Sequence, residues 1–276
     1  MADGSRYQDA ELRPITGADE VFLMDARETH LPAQLVTALL SRCLIRLGPY
    51  DRIDEEIVRS LIVGDRESLL LNLQRITWGE LMECVLNCPN PECREKMDLN
   101  LKVSDLLVPP YPEIRDVYET VLSDNSNSCK AQFRLIRGSD QEAAADLAHR
   151  DLNAAANLLI NRCLVSREGG CRDNSGDLPL EFAKKISSLM ADVDRQALMT
   201  LNFSCPFCRM EIATNFDIAS YLFREIENRK KSLYREVHTL AFHYHWSEAE
   251  IMSLTPKKRY TYLQLLDQEL ANGGRM

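Results

Sequence analysis

Two short cysteine motifs determine how this chain closes: CPNPEC at residues 88–93 and CPFC at residues 205–208. Each motif is flanked by stretches in which apolar and polar residues alternate, a pattern typical of half-buried strands. The sequence therefore predicts two β-hairpins whose tips each offer two thiols. Cysteine pairs at hairpin tips are the ligand pattern of a zinc ribbon, in which four thiolates surround one Zn²⁺ in a tetrahedron.

We expect the metal ligands to be Cys88, Cys93, Cys205 and Cys208. The Zn²⁺ is expected to be structural, because four protein ligands leave no open position for a substrate. A proline follows the first cysteine of each pair and helps to leave backbone amides free to donate to sulfur. The alternatives are a redox-active CxxC motif or two unrelated pairs. The lack of a βαβ pattern around CPFC argues against a thioredoxin-like site.

Composition sets limits on the class of protein. The chain has 276 residues, ordinary hydrophobic content and a net charge of −9, which weighs against nucleic acid as the main partner. No secretion signal or membrane-spanning run is recognised, so we expect a cytoplasmic protein with reduced thiols and no direct membrane insertion. Cys43 and Cys163 are predicted to be buried small hydrophobes. The cysteines outside the two motifs are Cys43, Cys84, Cys129, Cys163 and Cys171.

The two halves of the chain resemble each other. Residues 15–44 align with residues 136–164 with a single gap. In both halves an amphipathic helix follows, with apolar residues at helical spacing over 57–62 and 182–193. The shared motifs, in the same order, are G-x-D (Gly17/Asp19 and Gly138/Asp140), R-C-L (42–44 and 162–164) and Asp-Arg (65–66 and 194–195). This pattern indicates a two-lobed repeat in which each lobe donates half of the zinc site.

The fold class that follows is α+β and mostly helical. Two pseudo-repeated helical lobes are joined by a small zinc-ribbon hairpin unit, and a helical arm ends the chain. Residues 109–127 and 169–177 are rich in proline or glycine and are interpreted as irregular connections. The predicted boundaries are 1–79 for the first lobe, 80–104 for the first hairpin, 105–199 for the second lobe, 200–216 for the second hairpin and 217–276 for the C-terminal arm.

The C-terminal arm has clear helix-start signals. Asp217 suits an N-cap, the run 247–250 (SEAE) is a capping box, and Pro256 occupies a first helical position. We hypothesise that the arm faces a partner through aromatic anchors; alternatively, Trp246 only staples its own helix. The basic runs 229–231 and 257–259 are interpreted as solvated helix faces. The proposed anchors are Trp246, Tyr260 and Tyr262, and the histidines His238, His243 and His245 are interpreted as packing or surface residues.

Several segments resemble the base-plate protein family of contractile phage tails, whose relatives occur in phage-derived contractile injection systems. These segments are CVLNCPNPECREKMDLNLKVSDLL, IRGSDQEAAA, CPFC and LYREVHTLAFHYHWSEAEIMSLTPKKRYTYLQLL. The resemblance extends from about residue 15 to residue 270. It implies a structural zinc site at the paired knuckles, no enzymatic activity, and other baseplate or tail proteins as partners.

The leading functional hypothesis is therefore a non-enzymatic structural or assembly component of a baseplate, assembled into a phage-tail-like particle. The alternatives are a transient assembly chaperone or adaptor and, from another class, a zinc-ribbon nucleic-acid-binding regulator. No nucleophile motif, phosphate-binding glycine loop or carboxylate constellation is recognised, so no catalytic residue and no small-molecule substrate is predicted.

Overall fold

The computed structural model describes residues 9–109, 115–123, 128–169 and 178–273. Helices dominate these ranges, and the sheets are small and antiparallel. The predicted mostly helical α+β class is therefore confirmed. Within the same ranges, no helix is both long and apolar enough to cross a bilayer.

The chain forms two lobes, each followed by a cysteine-bearing hairpin, and ends in three helices. The first lobe and first hairpin contain β1 (Ala10–Leu12), α1 (Gly17–Ala26), α2 (Pro32–Cys43), β2 (Leu44–Leu47), α3 (Glu55–Ser60), α4 (Val63–Thr77), β3 (Leu81–Asn87), β4 (Lys96–Lys102) and α5 (Val103–Leu106). The second lobe contains β5 (Tyr118–Ser123), β6 (Ser128–Phe133), α6 (Gly138–Ala148), α7 (Leu152–Cys163), β7 (Leu164–Gly169), α8 (Leu180–Val193) and a 3-10 turn at Arg195–Ala197. The remaining elements are β8 (Met199–Ser204), β9 (Glu211–Phe216), α9 (Ile218–Tyr244), α10 (Glu248–Met252) and α11 (Pro256–Gly273).

The first lobe departs from the helix predicted over residues 57–62. α3 ends before Leu61, and Leu61 and Ile62 have extended backbone. The Leu61 carbonyl accepts a hydrogen bond from the Gly138 N–H at 3.0 Å, and Ile62 forms an antiparallel bridge with Arg137. Because a helix through these residues would lose these bonds to the second lobe, the tertiary contact overrides the helical pattern.

The second lobe contains a three-stranded sheet that was not predicted. β5 lies inside the stretch 109–127, which was wrongly interpreted as wholly irregular. It pairs with β6, and β6 also pairs with β7. The prolines that suggested a loop all precede the strand, and its pairing partners lie later in the chain. The other predicted connection, 169–177, lies almost wholly outside the described residues.

One hydrophobic core joins the first lobe to the C-terminal helices. It combines residues of α1, α2 and α4 with residues of α9 and α10. Its fully buried members include Leu39, Leu71, Leu222, Leu240 and Ile251. The second lobe has a separate core, built on the sheet together with α7 and α8. The C-terminal helices are thus part of the body of the protein, because they complete the core of the first lobe.

The predicted helix starts of the C-terminal region are confirmed. The Asp217 carboxylate accepts from the Ser220 N–H at the start of α9, and Ser247 with Glu250 forms the capping box of α10. α11 begins at Pro256. α9 ends at a left-handed residue, His245, with φ 57°, after which the chain turns into α10.

Two interpretations of this region need correction. Trp246 and Tyr262 do not present free aromatic anchors, because their rings pack against each other with centroids 4.8 Å apart and both pack on the first-lobe core. Only Tyr260 of the three proposed anchors is largely exposed, at 61%. Arg259 does not lie on a solvated helix face: it is fully buried and pairs with Glu20 at 2.8 Å.

Candidate metal centre and the repeated joint

The two cysteine motifs meet in space. The sulfur atoms of Cys88, Cys93, Cys205 and Cys208 all lie within 4.8 Å of one another. The Cys88 and Cys208 sulfurs are 3.6 Å apart, and those of Cys93 and Cys205 are 3.9 Å apart. A disulfide has an S–S distance of about 2.05 Å, whereas sulfurs bound at ~2.3 Å around a tetrahedral Zn²⁺ lie roughly 3.8 Å apart. The four thiols are therefore free and spaced as ligands of one tetrahedral metal ion.

Both knuckles share two backbone features, although the first knuckle is two residues longer than the second. In each, the first cysteine N–H donates across the hairpin at 2.9 Å: Cys88 to the Glu95 carbonyl and Cys205 to the Met210 carbonyl. The residue after the second cysteine is left-handed in both cases, with φ 52° at Arg94 and 62° at Arg209. An arginine directly follows the second cysteine of each motif, and this shared Cys-Arg pair could have revealed the equivalence from sequence.

Backbone and side-chain donors point at the sulfur atoms. A hydrogen bond from the Met210 N–H, with help from the Asn90 side chain, lowers the pKa of Cys208 to about 7. Burial raises the pKa of Cys88 to about 12, although the Asn90 N–H donates to its sulfur. A bound divalent cation would hold such a buried sulfur as thiolate, because coordination deprotonates thiols. The donors that meet the sulfurs are the outer-shell contacts expected around a thiolate metal site.

The four thiols differ in burial. Cys88 and Cys205 are buried together with Met97 and Ile212, whereas Cys93 is half-buried and Cys208 is exposed. Within the described ranges, no other group of three or more His, Cys, Asp or Glu side chains could hold a metal ion. His238, His243 and His245 are exposed, as their interpretation as packing or surface residues allows.

Cys43 and Cys163 occupy equivalent positions, at the ends of α2 and α7, and both are fully buried. Burial raises the pKa of each thiol to about 12. Their prediction as buried small hydrophobes is confirmed, and neither belongs to the metal cluster.

The G-x-D and R-C-L motifs form one repeated structure. In the first lobe, Asp19 accepts from Arg13 at 2.6 Å and from Arg42 at 2.9 Å. In the second, Asp140 accepts from Arg134 and Arg162 at the same two distances. Burial opposes ionisation, but hydrogen bonds from Arg13 and Thr16 lower the pKa of Asp19 to about 2. The aspartate therefore links the start of each lobe to the end of its second helix through two ion pairs.

A pair of helices from elsewhere in the chain packs against the glycine of each G-x-D motif: α10 and α11 against Gly17, and α3 and α4 against Gly138. The Gly17 N–H donates to the Leu254 carbonyl at 3.1 Å, as Gly138 does to Leu61. An arginine then lies against the glycine. A Cβ on Gly17 would be 2.9 Å from Arg259 Nη1, and one on Gly138 would be 1.6 Å from Arg66 Nη1. We call this arrangement the joint: the glycine, the leucine carbonyl and the arginine five residues after that leucine.

The two helix pairs that complete the joints are themselves related in sequence. DEEIVRSLIVGDR, residues 54–66, and SEAEIMSLTPKKR, residues 247–259, share the pattern E-x-x-[V/I]-x-S-L-x-x-x-x-R. Val58 and Ile251 occupy the same place in this pattern, and both are fully buried. This repeat was not predicted, although the shared pattern lies in the sequence itself.

Comparison with known proteins gives one match. A family model described as "T4 bacteriophage base plate protein" matches residues 4–168, which is more than half of the 276-residue chain. The matched region contains both G-x-D motifs and the first knuckle, whereas CPFC and the C-terminal helices follow it. No curated protein and no solved structure matches significantly.

Proposed function

The chain belongs to the T4 bacteriophage base plate protein family, and on that basis we propose that it is a non-enzymatic structural or assembly subunit of the baseplate of a phage tail or contractile injection system. It binds one structural Zn²⁺ through Cys88, Cys93, Cys205 and Cys208. Its partners are other baseplate or tail proteins, and it is made in the cytoplasm and assembled there into the particle.

The observation that supports the zinc site best is the convergence of four free thiols from two distant hairpins. All-thiolate tetrahedral sites are typical of zinc or iron–sulfur centres, and closed four-ligand sites of this kind are structural. The proposed ion joins Cys93 to Cys205, which lie 112 residues apart. By analogy with a disulfide, closing a loop of that length lowers the conformational entropy of the unfolded chain and stabilises the folded protein by about 4–5 kcal/mol. Zinc therefore stabilises the junction between the two halves.

Metal analysis tests this proposal. The purified chain should contain one zinc per chain, and Cys208→Ser should lower zinc content and folded yield together, because binding and folding are coupled. Cys43→Ala is the matched control, since it removes a buried thiol outside the cluster. A wild-type chain that is folded and free of metal would refute the zinc site.

A second candidate role is that of a transient assembly chaperone or adaptor, which leaves before the particle is complete. Quantitative mass spectrometry of purified particles separates the two roles: a permanent subunit is present at a fixed stoichiometry, and an assembly factor is absent. A nucleic-acid-binding regulator is disfavoured by the net charge of −9. Salt-dependent DNA binding by the purified chain would be the finding that supports it.

A further inference from the structure

The C-terminal half of α9 presents one exposed face that neither lobe covers. Its residues follow the spacing i, i+3, i+4, i+7 and i+11, which places them along one side of a helix. Two of them are aromatic and exposed: Tyr234 at 48% and Phe242 at 68%. We call this face the outer stripe, and its members are Lys231, Tyr234, Arg235, His238 and Phe242.

The outer stripe is held in a fixed orientation. On the opposite side of the same helix turns, Leu233, Val237 and Leu240 are buried in the first-lobe core. The Phe242 ring stacks near His238, with centroids 6.4 Å apart, and meets the His243 ring edge-on at 5.1 Å. The aromatic surface is therefore pre-organised, which lowers the entropic cost of binding.

The charge of this segment is opposite to that of the whole protein. Residues 229–245 contain four lysines and arginines but only one carboxylate, Glu236. Glu236 is not available to the outer stripe, because it pairs with Arg259 at 2.8 Å and approaches Arg229 at 3.8 Å. Within the described part of the chain, Lys231 and Arg235 form no ion pair. A basic, aromatic strip thus lies on a protein with a net charge of −9.

We infer that the outer stripe docks an acidic, apolar-containing polypeptide segment of a neighbouring baseplate protein. This inference rests on the proposed function. Tyrosine, phenylalanine and arginine are enriched in protein interfaces, and a charge-complementary rim favours fast, specific association. The stripe spans about 16 Å along the helix axis, which suits a short segment. Nucleic acid would need a broader basic surface, and the acidic surroundings oppose it.

Site-specific photo-crosslinking in cells that assemble particles tests the inference. A photoreactive phenylalanine analogue at Phe242 should crosslink to a baseplate protein through a peptide rich in Asp and Glu. The same analogue at Leu152, which is 76% exposed on the second lobe, is the control and should not give that product. A crosslink to nucleic acid, to a second copy of this chain, or to nothing would overturn the inference.

Charge reversal provides the second readout. Lys231→Glu with Arg235→Glu should lower the Phe242 crosslink roughly tenfold or more. Lys257→Glu with Lys258→Glu, on exposed positions of α11, is the matched control and should leave the yield unchanged. An undiminished crosslink in the Lys231/Arg235 variant would overturn the inference. Absence of the chain from both assembling and finished particles would instead refute the proposed function, so the two failures are distinguishable.

Discussion

The two joints of this protein share the same backbone contact but differ in the hydrogen-bond and charge partners of their buried arginine. Arg259 in the first-lobe joint pairs with two carboxylates, Glu20 and Glu236, each at 2.8 Å. In the second-lobe joint, Arg66 Nη2 donates to the Ala33 carbonyl, while its Nε and Nη1 meet no hydrogen-bond partner among the described residues. Burial accordingly lowers the pKa of Arg66 to about 10.

This difference shows which atoms define the joint. The position equivalent to Glu20 is Gln141 in the second lobe, so the ion pair is not a shared feature. The two joints share the hydrogen bond from the glycine N–H to the leucine carbonyl and the close approach of the guanidinium to the glycine. The backbone contact therefore specifies the docking of the helix pair, and the ion pair in the first lobe neutralises a charge that the joint has buried.

The largest expected effect separates the two arginines. Arg259→Met should destabilise the protein by about 3–5 kcal/mol, because it leaves the Glu20 carboxylate buried without its partner. Arg66→Met should change stability by roughly 1 kcal/mol or less, because it removes a buried charge that has no carboxylate partner. Urea unfolding of both variants measures the difference.

The double variant Arg259→Met with Glu20→Gln places a glutamine in the first lobe where the second lobe has Gln141. It should recover about half or more of the stability that Arg259→Met alone loses. Equal destabilisation by the two single arginine variants would contradict the comparison of the joints.

The glycines give the next largest effect. Gly138→Ala should cost about 2–3 kcal/mol, because the new Cβ overlaps the buried Arg66 guanidinium, with 1.6 Å to Nη1. Gly17→Ala should cost about 1–2 kcal/mol, since the corresponding distance to Arg259 Nη1 is 2.9 Å. The shift in the thermal midpoint of each variant provides the test. The ranking would be wrong if Gly17→Ala proved the more damaging change.

The equivalent thiols should behave alike. Cys43→Ala and Cys163→Ala each remove a fully buried sulfur atom at the end of a helix, at an expected cost of about 1 kcal/mol. Neither variant should lose zinc, which elemental analysis can establish alongside denaturant unfolding. A loss of zinc from either variant would show that the duplicated lobes and the metal site are more strongly coupled than the geometry indicates.

A dependence of stability on pH is expected at the second joint. Glu67, next to Arg66, has its pKa raised to about 8, first by burial and then by the nearby Asp217 and Asp194 carboxylates. Because the folded form holds this proton more tightly than the unfolded form, stability should fall as pH rises from about 4.5 to 8 and then level off. Glu67→Gln should flatten this decline, as unfolding measured across that range can show. An unchanged slope would count against a protonated Glu67.

The sequence predicts those features whose signal is local. The two knuckles, the capping boxes and the R-C-L motifs each lie within a few residues, and the physical chemistry of thiols, caps and buried apolar residues is enough to interpret them. The duplication was visible because its motifs recur in order. The thiol convergence followed from ligand chemistry, which couples hairpins that are far apart in the chain.

The features that the sequence did not predict depend on distant partners. In the sequence Arg259 is one member of a basic run. Its partner, the Glu20 carboxylate, lies 239 residues away and is found only in the folded structure. Likewise, Leu61 and Ile62 continue an apolar helical pattern, and only contact with the second lobe shows why they are extended. In both cases the deciding interaction is a tertiary contact that no local propensity encodes.

We propose that this member of the base plate family is a zinc-bound subunit of the particle. Elemental analysis of purified tail particles, normalised to the amount of this chain by quantitative mass spectrometry, tests it most directly. We expect the chain at a fixed stoichiometry with one zinc per copy, and we expect the zinc to be lost from any particles made with Cys208→Ser. Particles that contain the folded wild-type chain without zinc would contradict the metal site, and finished particles that lack the chain would contradict its role as a permanent subunit.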